Sequence, residues 1–186
     1  LNQINEAKGR IPSSGNSRKF TREIIKLSKV IRESSDAMPL LDSVKECYFS
    51  EDFDSGLKLF KSKKNLSNTE KIWKIRLLEG KKQSEKIRYF WKTENNSEMH
   101  VNVCLAFAQA FLSSDFHSEC ISSLRSASTK TRSEKEALRC ISLLFKSRAK
   151  TSQALEILDL IADEFVDPIS EEIIIQAALN DRSDLM

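Results

Sequence analysis

The feature that most constrains this chain is a match of the sequence to itself at a spacing of 34 residues. Cys104, Phe107, Ala108, Phe111, Cys120, Leu124 and Ala127 align without a gap on Leu138, Ile141, Ser142, Phe145, Ala154, Leu158 and Ile161. The register continues more weakly one period earlier, through Trp73, Lys74, Leu77, Lys86 and Phe90. One unit further back, Leu40, Val44, Cys47, Gly56 and Phe60 recover it only after a shift of a few residues. A period of roughly 20–50 residues marks a repeat architecture: one supersecondary unit cannot bury its apolar face alone, and a stacked neighbour covers it.

Within each unit the apolar spacing is helical. Phe20, Ile24, Leu27 and Ile31 fall at intervals of three and four, which puts them on one face of a helix. Asp36 reads as the N-cap of the next helix, with Pro39 in its first turn, where a missing N–H is tolerated. Leu40, Val44 and Cys47 then pair with Phe53, Leu57 and Phe60, and Ile72, Trp73, Ile75, Leu77 and Leu78 with Ile87, Phe90 and Trp91. Gly80 marks the end of the helix before it. Residues 101–112 pair with Cys120, Leu124 and Ala127 across Ser113, Ser114 and Asp115, and Leu138, Ile141 and Phe145 pair with Ala154, Leu158 and Ile161. Pro168 and Ser170 open a last helix carrying Ile173, Ile174 and Leu179. Loops this short force neighbouring helices antiparallel. With only 4 Gly and 3 Pro, the chain lacks the turn residues of an all-β fold. The competing reading is a globular helical bundle in which the 34-residue spacing is coincidence.

The spacing resembles the tetratricopeptide repeat over roughly residues 37–168. In that family a first helix with large, large, small and large positions packs on a second helix that carries a small residue near its start. Small positions let the helices approach, and large ones fill the seams. The departures are plain. The usual Gly of the first helix is Val44, Lys74, Ala108 or Ser142, the small residue of the second is Lys86 in one unit, and a closing Pro appears only as Pro168. The fold expected is all-α: an α-solenoid of stacked antiparallel helix pairs with a superhelical twist. A poorly ordered arm spans residues 1–18, and one helical-repeat domain spans 19–186. Because the chain begins with Leu1, that domain reads as a segment of a longer solenoid.

Chemistry-bearing motifs are few. Cys47, Cys104, Cys120 and Cys140 have no metal-knuckle or redox spacing and sit at apolar helix positions, so they read as buried thiols of an intracellular protein, cytoplasmic or nuclear. His100 and His117 have no metal-ligand partner at helical spacing. His117 beside Cys120 could be drawn as a nucleophile pair, but Cys120 falls at a small, buried repeat position. Phosphate loops, serine elbows and zinc-protease motifs are absent from the sequence. No apolar run reaches the roughly 20 residues of a membrane span. The expectation is therefore a non-catalytic protein with no cofactor, no metal, no membrane partner and no small-molecule substrate.

The resemblance implies an interaction scaffold that holds a partner peptide or helix in a concave groove lined by the first helix of each pair. Carried across residue by residue, the groove positions are Asn102, Leu105, Gln109 and Leu112 in one unit, and Glu136, Arg139, Leu143 and Lys146 in the next. Leu105, Leu112 and Leu143 would form an apolar strip between polar anchors. Some members grip a terminal carboxylate with a Lys and an Asn four residues apart; here those positions are Lys71 and Ile75, so the Asn is missing.

Charge supports a second reading. Residues 61–92 hold eleven Lys or Arg against three Asp or Glu, interleaved with Trp73, Tyr89, Phe90 and Trp91. Cations with aromatics suit phosphate contacts and base stacking, which makes Lys81, Lys82, Lys86 and Arg88 candidate RNA contacts. Leu144 to Ser147 followed by Ala154 to Leu158 also resembles the pentatricopeptide RNA-binding repeat. That family's inter-helix Gly and Met–Gly–Pro-like closing segment do not recur.

Overall fold

The computed structural model describes residues 40–94, 98–147 and 149–162, together with positions 173, 175–177 and 180. The expected arm, the helix around Phe20–Ile31, the cap at Asp36 and most of the helix after Pro168 lie outside them. The described residues are helical with no strand. By its contacts the chain divides into two compact units, Leu1–Lys64 and Asn65–Met186.

The first unit contains α1 (Leu40–Phe49) and α2 (Phe53–Lys58), which pack together around buried Val44, Gly56 and Phe60. The Asp52 carboxylate caps α2 by accepting from the Ser55 N–H at 3.2 Å.

The second unit is built from α3 (Asn68–Gly80), α4 (Ser84–Thr93), α5 (Val101–Leu112), α6 (His117–Ser128), α7 (Glu134–Lys146) and α8 (Thr151–Ala162). Sequence sets their ends. Ser67 and Glu70 form a reciprocal capping box on α3: the Glu70 carboxylate accepts the Ser67 N–H at 2.9 Å, and the Ser67 hydroxyl accepts the Glu70 N–H at 3.4 Å. His100 Nδ1 caps α5 by accepting from the Asn102 N–H at 3.2 Å, and Ser133 caps α7. Two of the turns share one geometry. After α3 the left-handed residue is Lys82 (φ 57), and the Gln83 N–H reaches back to the Leu78 carbonyl at 2.9 Å. After α5 it is Asp115 (φ 58), and the Phe116 N–H reaches the Phe111 carbonyl at 3.0 Å. These six-to-one bonds satisfy carbonyls that the helix end leaves open.

Successive helices touch, α3 with α4, α5 with α6, and α7 with α8, most extensively α5 with α6. The first helices also touch one another, α3 to α5 and α5 to α7; α6 touches α8; and the second helix of a pair touches the first of the next. α5 is thus surrounded, and nine of its twelve residues are buried. A helix apolar all round belongs in a core. Ala106, Ala108 and Ala110 let its neighbours approach, while Phe107 and Phe111 stack at 5.9 Å and meet Phe90 and Trp91 of α4 at 5.1–6.2 Å.

Candidate functional site: the outer positions of α3, α5 and α7

Side chains one period apart touch across the first-helix seams. The Asn102 amide donates to Glu136 Oε1 at 3.3 Å, and the Ser113 hydroxyl donates to Glu79 Oε1 at 2.7 Å; each pair is separated by 34 residues. Equivalent positions of neighbouring helices are therefore side by side. Along this row Gln109, Arg139 and Lys146 are exposed, and Asn102, Leu112 and Glu136 are half-buried.

The apolar strip does not exist as expected. Leu105 is 0 % exposed and Leu143 is 4 % exposed, so neither presents a surface to a partner. The reason is packing: α5 has neighbours on every side and α7 is held by α5, α6 and α8, so positions that spacing alone turns outward are covered. Apart from half-buried Leu112, what remains outward is polar and cationic. Arg139 lacks an ion-pair partner among the described residues; burial and then the positive charge of nearby Arg76 lower its guanidinium below the usual value. The Arg76 guanidinium itself lies 4.7 Å from the centre of the Trp73 ring. Lys71 is taken up by an ion pair with Glu94, and Ile75 is fully buried.

The basic block separates into two groups. Arg88 is structural: its Nε sits 2.6 Å from Glu119 Oε1, and its guanidinium lies 5.4 Å over the Phe116 ring, tying α4 to α6. The Glu119 carboxyl is held below its usual range by the Ser118 hydroxyl, with Arg88 adding to the effect. Lys74 is likewise absorbed, its Nζ 4.1 Å from the centre of the Phe90 ring, and burial lowers its ammonium despite the nearby Glu94. Lys82 and Lys86 are exposed and Lys81 is half-buried. Beside them stand Tyr89, 71 % exposed, which the sequence offered only as one of four aromatics in the block, and Lys92, also exposed, which it did not single out. Their outward placement could be read from α4 itself, since burying Ile87, Phe90 and Trp91 turns positions 85, 86, 89 and 92 to solvent.

The thiols are arranged for packing. Cys104, Cys120 and Cys140 are buried and unbridged, and burial pushes Cys120 up to about 11 and Cys140 up to about 12. A nucleophilic cysteine needs the opposite shift. Cys104 is raised by burial, partly offset by the Ser126 hydroxyl 3.6 Å away and the charge of Lys130. Among the described residues no group of three His, Cys, Asp or Glu is placed to hold a metal ion, and no helix is long and apolar enough to cross a membrane. Comparisons with protein-family models, with curated proteins and with solved structures find no match, so the surface is read from its own geometry.

Proposed function

We propose that the helices of the Asn65–Met186 unit form a divergent tetratricopeptide-like solenoid, and that the unit is a non-catalytic intracellular scaffold holding a peptide or helix of another protein. The observation that carries this reading is the pair of lateral hydrogen bonds, Asn102 to Glu136 and Ser113 to Glu79, between residues one period apart. Stacked repeats bring equivalent positions into register in this way and leave one continuous face along the first helices. The partner-facing set is Gln109, Leu112, Arg139 and Lys146, with Asn102 at the seam; Leu105 and Leu143 support the face from beneath. Arg76, Arg139 and Lys146 give the row a positive bias, which favours an acidic partner segment.

The test is photo-cross-linking in cells, with p-benzoylphenylalanine placed at Gln109 and, as a control, at exposed Ser122 on α6. A discrete adduct from position 109 that survives RNase, is absent from position 122 and is lost in Arg139→Glu with Lys146→Glu is the expected result. Equal labelling from both positions, or none from 109, removes the reading.

A further inference from the structure

We propose that the outward face of α4 and the turn before it bind a single-stranded nucleic acid, with Lys82, Lys86 and Lys92 on phosphates and the Tyr89 ring stacked on an unpaired base. This surface is distinct from the α3–α5–α7 row, and the inference does not depend on the scaffold reading.

A lone exposed tyrosine needs no explanation. What distinguishes Tyr89 is its surroundings. It is 71 % exposed, and its ring meets no other ring among the described residues. Lys86 and Lys92 lie one turn to either side of it, and Lys82 occupies the turn that feeds the helix. No ion pair engages these three lysines among the described residues, whereas Lys71 and Arg88 nearby are neutralised by Glu94 and Glu119. The acid on this face, Glu85, reaches toward Arg88 at 4.0 Å, so the face stays positive around the tyrosine.

The order along the helix fits a polynucleotide. Lys86 and Lys92 are separated by about 9 Å at the helical rise per residue, with Tyr89 midway. A strand lying along α4 therefore meets cation, flat ring, cation, in the sequence phosphate, base, phosphate. Ring stacking requires a base free of its pair, which selects a single strand over a duplex. An acidic peptide would satisfy the lysines and leave the tyrosine without a role.

The experiment is fluorescence anisotropy with a labelled uridine-rich RNA of about 20 nucleotides, a thymidine-rich DNA of the same length, an RNA duplex, and poly-L-glutamate as competitor. Three phosphate contacts on a single strand give a log–log salt slope of about −2, so affinity should fall roughly 20-fold between about 50 and 200 mM salt. Tyr89→Ala should weaken binding on the order of tenfold while Tyr89→Phe, which keeps the ring, retains it. Lys86→Glu with Lys92→Glu should abolish it. All three substituted positions are solvent-facing, so circular dichroism should be unchanged in each variant. Comparable binding of the RNA and DNA strands supports the proposal. It is overturned by absence of binding at about 50 mM salt, by Tyr89→Ala binding like the parent, by duplex binding as tight as single-strand binding, or by poly-L-glutamate competing as well as RNA.

Discussion

Leu105 and Arg139 hold equivalent places one period apart, yet the first is sealed and the second exposed. Periodicity assigns both to the same face; what separates them is how many helices surround each parent helix. The warning was present in the sequence, because residues 103–112 form an apolar run broken only by Gln109, and a helix with so few polar positions cannot keep a wet apolar strip. Leu105→Asp should therefore unfold the second unit rather than spare the fold and block a partner. It forfeits at least the roughly 2–5 kcal/mol of a buried Leu→Ala change, and adds the cost of an unpaired carboxylate. A melting curve that does not move would show that Leu105 faces solvent. Gln109→Glu, at an exposed position on the same helix, should leave that curve in place. The thiols give a second test at this scale. Cys47 is half-buried, while Cys104, Cys120 and Cys140 are buried with their pKa values raised, so at pH 8 those three stay protonated as well as shielded. A thiol reagent on the native protein should modify Cys47 first, and the other three only as denaturant opens the core. Rapid labelling of Cys120 would contradict the packing.

At the scale of elements, caps and turns decide where helices stop, and here the sequence was legible to within a turn. Gly80 was the sequence signal for the end of α3, and it is the last helical residue; the left-handed position falls two residues later, on Lys82. A lysine there carries a Cβ clash that glycine lacks. Lys82→Gly should stabilise the protein by about 0.5–1 kcal/mol, a rise of roughly 1–4 °C in Tm. The same variant removes one of the three lysines proposed to meet phosphate, so its salt slope for RNA should flatten by about 0.7. Higher stability with an unchanged slope would take Lys82 out of the nucleic-acid surface while leaving the turn argument intact. Not everything at this scale could be read. Arg88 sat in the basic block by composition, but its partners Glu119 and Phe116 come from the next helix pair, and only the docking of α4 against α6 shows that its charge is spent. Tyr89 was within reach, since three buried neighbours on α4 fix the opposite face.

At the scale of the whole molecule the question is whether the 34-residue spacing is an architecture or an accident of a helical bundle. Of the residues the self-match aligns, Phe107, Phe111, Ile141, Phe145, Leu124, Ala127, Ala154, Leu158 and Ile161 are buried, while Leu138 and Ser142 are half-buried. A bundle could bury the same residues, so burial alone does not separate the two. The lateral pairs Asn102–Glu136 and Glu79–Ser113 point further, because they put the same repeat position on both sides of a seam, at α5–α7 and again at α3–α5. If α3, α5 and α7 are successive copies of one element, the seam between any two can be made twice. Duplicating residues 101–134 in tandem is then a decisive perturbation. The first copy of α5 keeps its contact with α3, and the second copies of α5 and α6 keep theirs with α7 and α8. The new seams join α5 to α5, α6 to α5 and α6 to α6 between the copies, with Asn102 of one copy meeting Asn102 of the other in place of Glu136. Stability in a stacked array is a sum of unit and nearest-neighbour terms, so the enlarged protein should remain folded, with helical ellipticity per residue preserved and a cooperative melt. A closed bundle has no place for two further helices in its centre. An insertion variant that loses helicity or aggregates, while the same segment appended after residue 186 does neither, would favour the bundle.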